Sequence, residues 1–233
     1  MKDAIGQHYR RVGILLPSGD TVLEVDLWRR LPSQITLHVA RMYMESTTVA
    51  GEEKMLREEL TPAARRVASV HPELVIFGCT SAAALRGVDG DAAIARRVET
   101  VVGSPCVTVV QAAVQEIRQL RPKCLLLVTP YIAEINNRLQ NTFLEVGLPV
   151  TGVVGMGLDN DLDIGTVPPE EIRRFVVTAT QSADPVPDCV FVSCTTFRAF
   201  EVAEDLEREL GIPVVTSNRA VFQVILRYLG YGS

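Results

Sequence analysis

The sequence lacks the short motifs that identify a metal or nucleotide site. Its three histidines, His8, His38 and His71, are far apart, and none is spaced with a cysteine or carboxylate as zinc ligands are. Neither the phosphate-binding pattern G-x-x-x-x-G-K-[S/T] nor the dinucleotide pattern G-x-G-x-x-G follows an apolar run that would form a strand. We therefore expect a reaction that uses neither a metal nor another cofactor.

The chain also lacks the features of proteins that bind membranes or nucleic acids. No window approaches about 18 uninterrupted apolar residues, and the polar start MKDAIGQHYRR has no apolar core of a signal peptide. The net charge of −5 argues against nucleic acid as a partner, because phosphate binding needs a basic face. The odd number of five cysteines favours reduced thiols over a disulfide framework. We expect a cytoplasmic protein without a membrane or nucleic-acid partner.

Two of the five cysteines stand in near-identical settings. Cys79 in ELVIFGCTSAAAL and Cys194 in DCVFVSCTTFRAF each follow a short apolar run and precede two hydroxyl residues. In a strand–loop–helix unit each thiol would lie at a helix N-terminus, which lowers a thiol pKa. The alternative is a buried core cysteine, which suits Cys106, Cys124 and Cys189 inside apolar runs. For Cys79 and Cys194 we predict a paired catalytic role.

The similarity of the two halves extends beyond the cysteines. Residues 103–108, GSPCVT, match residues 211–216, GIPVVT, and the openings VGILLPSGD (12–20) and CLLLVTPYI (124–132) also correspond. Each half reads as strands alternating with helices, which indicates a mostly parallel sheet. We predict an α/β fold of two pseudo-symmetric halves, with the active site in the cleft between them.

The predicted halves cover residues 1–115 and 116–233, with the C-terminal helix free to pack on the first half. Helices are expected at 51–70, with Pro62 as a break or a new first turn, at 131–146 and at 197–210. The Gly- and Asp-rich segment GMGLDNDLDIG, residues 155–165, is expected to be a loop.

Further site candidates follow the predicted strands, where parallel sheets bind ligands. The hydroxyl residues after the two cysteines are either simple helix N-caps or part of a cradle for a carboxylate. Tyr131 either donates to a bound anion or is a core aromatic, and Asn136 binds substrate or is a solvated helix residue. Ser18 and Asp20 are turn residues or members of the site. The predicted binding residues are Ser18, Asp20, Thr80, Ser81, Tyr131, Asn136, Thr195 and Thr196.

Over residues 11–230 the two Cys-Thr loops, the loop after the first strand and TPYIAEIN resemble the aspartate/glutamate racemase superfamily. Within it, the chain is most similar to the group of maleate cis-trans isomerases and arylmalonate decarboxylases. The resemblance implies cofactor-independent chemistry between two α/β halves. It implies paired cysteines as acid and base in racemases, and the first cysteine as nucleophile in isomerases. In decarboxylases it implies a glycine at the first position, with the second cysteine as proton donor.

The resemblance assigns Cys79 and Cys194 to the two catalytic positions. It assigns Thr80, Ser81 and Tyr131 to the carboxylate, with a backbone amide from Thr195. Two departures bear on the substrate. Asp20 replaces an asparagine of the isomerases, where a carboxylate would repel a dicarboxylate substrate, and Gly78-Cys-Thr-Ser81 is more polar than the isomerases' A-C-L-V.

The predicted function is that of a two-cysteine racemase or isomerase acting on a small carboxylate. Two alternatives remain: a decarboxylase of a substituted malonate, and a catalytically idle protein that binds a small carboxylate. The substrate itself and the oligomeric state, including a homo-oligomer, stay open.

Overall fold

The structure is a computed structural model that describes residues 9–231, so His8 and the predicted N-terminal features before it lie outside the described residues. The strands of the first half are β1 (Arg10–Pro17), β2 (Ile35–Met42), β3 (Leu74–Phe77) and β4 (Cys106–Thr108). Those of the second half are β5 (Leu125–Tyr131), β6 (Val150–Leu158), β7 (Cys189–Val192) and β8 (Val214–Thr216).

Helices cover both sheets. The first half contains α1 (Leu23–Arg30), α2 (Val49–Glu58), α3 (Leu60–Ala68), α4 (Thr80–Ala84), α5 (Gly87–Val102) and α6 (Val109–Leu120). The second half contains α7 (Ala133–Glu145), α8 (Asp161–Thr166), α9 (Pro169–Gln181), a 3-10 helix (Arg198–Val202), α10 (Ala203–Leu210) and α11 (Ser217–Tyr228).

The two sheets have the same topology. Their strand orders are β2-β1-β3-β4 and β6-β5-β7-β8, and every pair is parallel. The central strands β3, β5 and β7 are apolar runs with every residue buried, as expected where helices cover both faces of a parallel sheet. The predicted fold of two equivalent α/β halves is confirmed.

The expectation of a loop over residues 155–165 was wrong. Strand β6 continues to Leu158, and α8 follows at once. A Cβ on Gly155 would stand 2.4 Å from the Tyr131 carbonyl oxygen, so this glycine permits close approach to β5. Asn160 caps α8 by accepting from the amides of Leu162 and Asp163 at 2.9 and 3.4 Å. The glycine and the Asx cap therefore belong to regular structure here.

The segment 51–70 divides at Glu59, and Pro62 lies in the first turn of α3, where its missing N–H costs no hydrogen bond, so the predicted new first turn is confirmed. Two other predicted helices begin later than expected. Tyr131 ends β5, so α7 begins two residues later at Ala133. The chain after Cys194 first forms the 3-10 helix, and the α-helix begins at Ala203.

Two helices lie between the halves. Helix α6 packs on α11 and also contacts β8, while α11 contacts β3 and α1 of the first half. At the end of α11, the Leu229 carbonyl accepts from Arg10 at 3.0 Å. The boundary between 115 and 116 falls within α6 and stays a prediction.

Candidate active site

The candidate site lies where the carboxyl ends of the central strands meet. In each sheet, the chain passes from one middle strand to the neighbour on one side (β1 to β2, β5 to β6) and from the other middle strand to the neighbour on the opposite side (β3 to β4, β7 to β8). Parallel sheets bind ligands in the crevice between two such middle strands. Ser18 and Asp20 follow β1, Cys79 follows β3, Tyr131 ends β5 and Cys194 follows β7. Each half thus delivers predicted residues from its two central strands.

The two cysteine loops are in direct contact. The Thr195 hydroxyl of the second loop donates to the Gly78 carbonyl of the first at 3.2 Å. The Ser217 hydroxyl, 3.1 Å from the Thr80 hydroxyl, accepts from the Cys194 amide at 3.1 Å. These contacts join the two halves at the cysteines themselves.

Cys79 occupies the N-cap position of α4 in an ordinary extended conformation, with φ of −142°. Its Sγ lies 3.6 Å from the Ser81 hydroxyl, and it is 3% exposed. Helix α4 has only five residues, all of them buried. The thiol is therefore fixed between a strand end and a very short helix.

Cys194 is also buried, at 5% exposure, but its backbone differs. Its φ of +98° lies in the left-handed region, which disfavours residues with a Cβ. Thr195 and Thr196 follow it and are buried. The second thiol is therefore held by a strained turn, whereas the first is held by a helix start.

The prediction of lowered thiol pKa values was wrong for this state of the site. Burial raises the pKa of Cys79 well above its usual value, and the carboxyls of Glu52 and Asp161 raise it further. Burial and then Asp161 raise the pKa of Cys194, although a hydrogen bond from Tyr131 and the Thr196 amide oppose the rise. Desolvation of a charge outweighs the few amides that each loop offers.

Tyr131 is buried beside Cys194, and its backbone is fixed by Asn136. The Asn136 amide donates to the Tyr131 carbonyl at 3.0 Å and accepts from the Thr129 hydroxyl at 2.5 Å. Burial, then the charge of a Cys194 thiolate, raises the pKa of Tyr131, so its hydroxyl stays a donor. Asn136 is buried rather than solvated, and its contacts position Tyr131. Direct contact of Asn136 with a substrate stays a prediction.

Ser18 and Asp20 form part of the wall after β1. The Ser18 hydroxyl accepts from the Met44 amide at 3.2 Å. One oxygen of Asp20, Oδ1, accepts from the amides of Val22 and Leu23 at 2.9 and 3.0 Å, in the turn that leads into α1. Burial raises the pKa of Asp20 despite these bonds. Asp20 thus serves as a turn residue and also lies near Cys194, whose pKa its charge raises.

The sequence analysis missed Glu52, Asp161 and Ser217. Ser217 had a signal, because it follows the second copy of the repeated G-x-P strand, at a carboxyl strand end. Asp161 lies in the segment that was expected to be a loop. Glu52 had no such signal, because it is one of two adjacent glutamates in a predicted helix, and the sequence does not show which side of that helix packs against the protein. Burial raises the pKa of Glu52 to about 8 and that of Asp161 to about 6.

A surface depression of about 280 Å³ opens beside the site. Its wall includes Ser18, Tyr43, Glu45 and Asp161. Two segments meet next to it, because the Thr47 amide donates to the Asp159 carbonyl at 2.8 Å. Asp161 in this wall is one of the groups that raise the pKa values of both thiols, so the depression adjoins the site.

Within residues 9–231, no group of three or more histidine, cysteine or acidic side chains is arranged to hold a metal ion. Among the helices of the same range, none has the length and hydropathy needed to cross a membrane.

Known proteins resemble this chain over almost its whole length. Arylmalonate decarboxylase of Bordetella bronchiseptica is 27% identical over 222 residues, which cover 95% of this chain and 91% of the relative. Maleate isomerase of Nocardia farcinica is 25% identical over 231 residues, covering 94% and 90%. The family model for arylmalonate decarboxylase matches residues 13–233.

Solved structures agree with the fold. A liganded arylmalonate decarboxylase variant, with glycine changed to cysteine and cysteine to serine, has a TM-score of 0.88 at 26% identity, covering 96% of this chain and 94% of its own. A Nocardia farcinica maleate isomerase with a covalently bound succinylcysteine has a TM-score of 0.87 at 23% identity, covering 95% and 93%. The predicted resemblance is confirmed, and the chain belongs to the arylmalonate decarboxylase family.

Proposed function

We propose that this protein is a cofactor-independent isomerase or racemase that acts on a small carboxylate through Cys79 and Cys194. The observation that carries the proposal is the contact between the two cysteine loops. Equivalent positions of two halves bring two thiols to one buried site, joined through Thr195 and Ser217. Two thiols on opposite sides of one carbon are what proton exchange with inversion requires.

The proton-transfer step uses one sulfur as a thiolate and the other as a thiol. The thiolate takes the proton from the carbon next to the substrate carboxylate and becomes a thiol. The electron pair of the broken C–H bond moves into the carboxylate and forms an enediolate. The opposite thiol then gives its proton to the other face of the carbon and is left as the thiolate. In a cis-trans isomerisation, the Cys79 thiolate would instead add to the alkene, the C–C bond would rotate, and the thiolate would leave.

The enediolate needs donors, because it carries two negative charges. The hydroxyls of Ser81 and Tyr131 and the backbone amides after the two cysteines are the donors nearest to the thiols. Tyr131 stays protonated because burial raises its pKa. We assign these groups to the substrate carboxylate, where one preorganised donor is worth roughly a hundredfold in rate.

Decarboxylation of a substituted malonate is the second candidate function. It is favoured by the family model and by the decarboxylase relative. In that reaction, loss of carbon dioxide gives the same enediolate, which Cys194 would protonate. Cys79 has no task there, which is why we rank the two-thiol reaction first.

A deuterium-exchange screen tests the proposal. The protein is incubated in D₂O with 2-substituted phenylacetates, α-amino acids, hydantoin-type compounds, substituted malonates and maleate, and NMR follows deuterium at the reacting carbon. We expect racemisation or isomerisation that is lost in Cys79→Ala and in Cys194→Ala, each of which keeps at most exchange without inversion. Racemisation or isomerisation at the wild-type rate in Cys79→Ala would reject the two-thiol mechanism. Binding without turnover of any compound would instead favour the idle binding protein.

A further inference from the structure

Three acidic side chains near the two thiols have oxygens without hydrogen-bond partners. Among residues 9–231, the unpartnered buried atoms include Oδ2 of Asp20, Oδ2 of Asp161 and both carboxyl oxygens of Glu52. Glu52 is completely buried. A buried carboxyl without a partner is costly, and a catalytic role or a bound ligand is one of the reasons why native proteins keep such a group.

These carboxyls face the candidate site from several elements. Glu52 lies on α2, which packs on α4, and it is close enough to the Ser81 hydroxyl for that hydroxyl to lower its pKa. No hydrogen bond of normal geometry joins the two groups. A Cβ on Gly19 would stand 3.3 Å from Oδ2 of Asp161, and the Thr47 hydroxyl donates to Oδ1 at 3.1 Å.

The arginines near these carboxyls are engaged elsewhere. Arg41 donates to the carbonyl of Asp20 rather than to its carboxyl, and it forms an ion pair with Glu24 at 2.7 Å. Arg138 donates to the Leu85 carbonyl at 3.2 Å. Within residues 9–231, none of the three carboxyls forms an ion pair. Arg41 and Arg138 lie near Asp20 and Glu52 but make no direct contact with their carboxyl groups.

We propose that the substrate is a small carboxylate that also carries a protonated amine, and that Glu52 and Asp161 bind this ammonium group. The proposal rests on the proposed function and names the substrate class of the same site. The substrate carboxylate lies against the donors of the cysteine loops, and the ammonium lies on the side of α2 and α8. The reacting carbon is then held between the two thiols by groups of opposite charge.

A second carboxylate on the substrate suits this site less well. Asp161, with a pKa of about 6, is mostly ionised at neutral pH and would repel it. Glu52, with a pKa of about 8, carries a proton in the free site. The groups that face Glu52 are Cys79, Asp161 and, from α7, Glu134 and Arg138. An ammonium would favour the ionised form of Glu52, whereas a carboxylate would favour its protonated form.

The two possibilities differ in the sign of proton exchange on binding. Isothermal titration calorimetry at neutral pH, in two buffers of different ionisation enthalpy, counts the protons released. The probes share one skeleton: phenylacetate with ammonium, hydroxyl, methyl or carboxylate on the carbon next to the carboxylate, with alanine and lactate as smaller probes. We expect an ammonium probe to bind at least about tenfold more tightly than its neutral analogues, since hydrogen bonds to charged groups are worth that much. We also expect release of about one proton, because Glu52 ionises.

Glu52→Gln separates charge recognition from hydrogen bonding, because an amide still donates to a carboxylate but carries no charge. We expect this variant to lose the proton release and to bind the ammonium probe about tenfold more weakly. Asp161→Asn should weaken the same probe without removing the release. Glu53→Gln, which removes an exposed carboxylate paired with Arg86 at 3.1 Å, is the control and should behave as wild type.

Three results would overturn the inference: tighter binding of phenylmalonate with proton uptake, unchanged discrimination in Glu52→Gln, or no binding of either ammonium probe at millimolar concentration. The proposed function fails separately, through the D₂O screen. If the ammonium probes bind with proton release but their exchange is independent of Cys79, substrate recognition stands and the two-thiol mechanism falls.

Discussion

The two cysteine loops occupy equivalent places in the two halves but offer different surroundings. Cys79 stands in an extended conformation at the start of a helix, beside Ser81 and Glu52. Cys194 stands at φ of +98° before a 3-10 helix, and its neighbour is Tyr131. The sequence repeat conceals this difference, because both loops read Cys, Thr and a second hydroxyl residue. Equivalent position in the fold therefore does not make the two thiols chemically equivalent.

The difference suggests a division of tasks. Tyr131 stabilises a Cys194 thiolate, since its hydroxyl lowers the pKa of that thiol. The neighbours of Cys79 are instead the Ser81 hydroxyl and Glu52, a carboxyl whose pKa is raised to about 8. Each thiol is thus expected to serve one face of the substrate, with its own set of neighbours.

Removing the thiols one at a time should have the largest effect on activity. We expect Cys79→Ala and Cys194→Ala each to lower racemisation by about 10² to 10⁴, the range for general acid–base groups. Each variant should retain exchange without inversion on one enantiomer, and the two variants should retain it on opposite enantiomers. NMR in D₂O with resolved enantiomers measures both quantities.

Cys106→Ala is the matched control, because Cys106 is a buried thiol at the start of β4 and lies outside the two loops. It should leave the rate unchanged. If both loop variants kept exchange on the same enantiomer, the two thiols would not serve opposite faces.

Tyr131 and Ser18 form the second comparison, since they hold corresponding places in the repeated strand openings. We expect Tyr131→Phe to lower turnover by roughly a hundredfold, because it removes a preorganised donor to the enediolate. Ser18→Ala should cost less than about tenfold, since the Ser18 hydroxyl makes one neutral hydrogen bond, with the Met44 amide. Steady-state kinetics measures both changes, with the exposed Tyr228→Phe as the control. Equal losses of turnover in Tyr131→Phe and Ser18→Ala would show that the Tyr131 hydroxyl contributes no more to catalysis than the Ser18 hydroxyl.

The sequence could predict what is local and repeated. The apolar runs before Cys79 and Cys194, the G-x-P strands and the alternation of strands with helices fix two parallel sheets and bring the residues after their strands together. The boundary of β6 could not be predicted, because Gly155 permits a close approach to β5 that only the tertiary structure reveals. The sequence alone gives no reason to expect Glu52 at the site.

The buried Glu52, which lies beside Cys79, should make the free energy of unfolding depend on pH. Its pKa rises from about 4.5 to about 8 on folding, so the folded state binds more protons than the unfolded state between these values. The stabilisation is complete below about pH 4.5 and is lost as the pH rises through about 8. We expect Glu52→Gln to remove this dependence and to gain roughly 3 to 4 kcal/mol relative to wild type between pH 5 and pH 8.

Urea denaturation at several pH values measures this gain as a change in midpoint at constant slope. Glu53→Gln on the same helix is the control, and its difference from wild type should not change with pH. A Glu52→Gln protein with the same pH dependence as wild type would mean that the carboxyl is ionised in the folded protein.

The smallest expected effect concerns the backbone of the two loops. A residue with a Cβ at a φ such as that of Cys194 is strained by about 1 to 3 kcal/mol, whereas the extended conformation of Cys79 suits any residue. Glycine relieves such strain but costs roughly 0.5–1 kcal/mol where the backbone is ordinary, because it is more flexible in the unfolded chain.

Comparing glycine with alanine at each cysteine isolates this backbone effect, because both substitutions remove the thiol. We expect Cys194→Gly to be more stable than Cys194→Ala by about 1 kcal/mol, and Cys79→Gly to be less stable than Cys79→Ala by about 0.5–1 kcal/mol. Urea midpoints of the four variants measure the two differences. A glycine-minus-alanine stability difference of the same sign at both positions would show that the backbone of Cys194 is no more strained than that of Cys79. Opposite signs would mean that the fold keeps a strained residue at Cys194 alone, at the position to which we assign proton transfer on one face of the substrate.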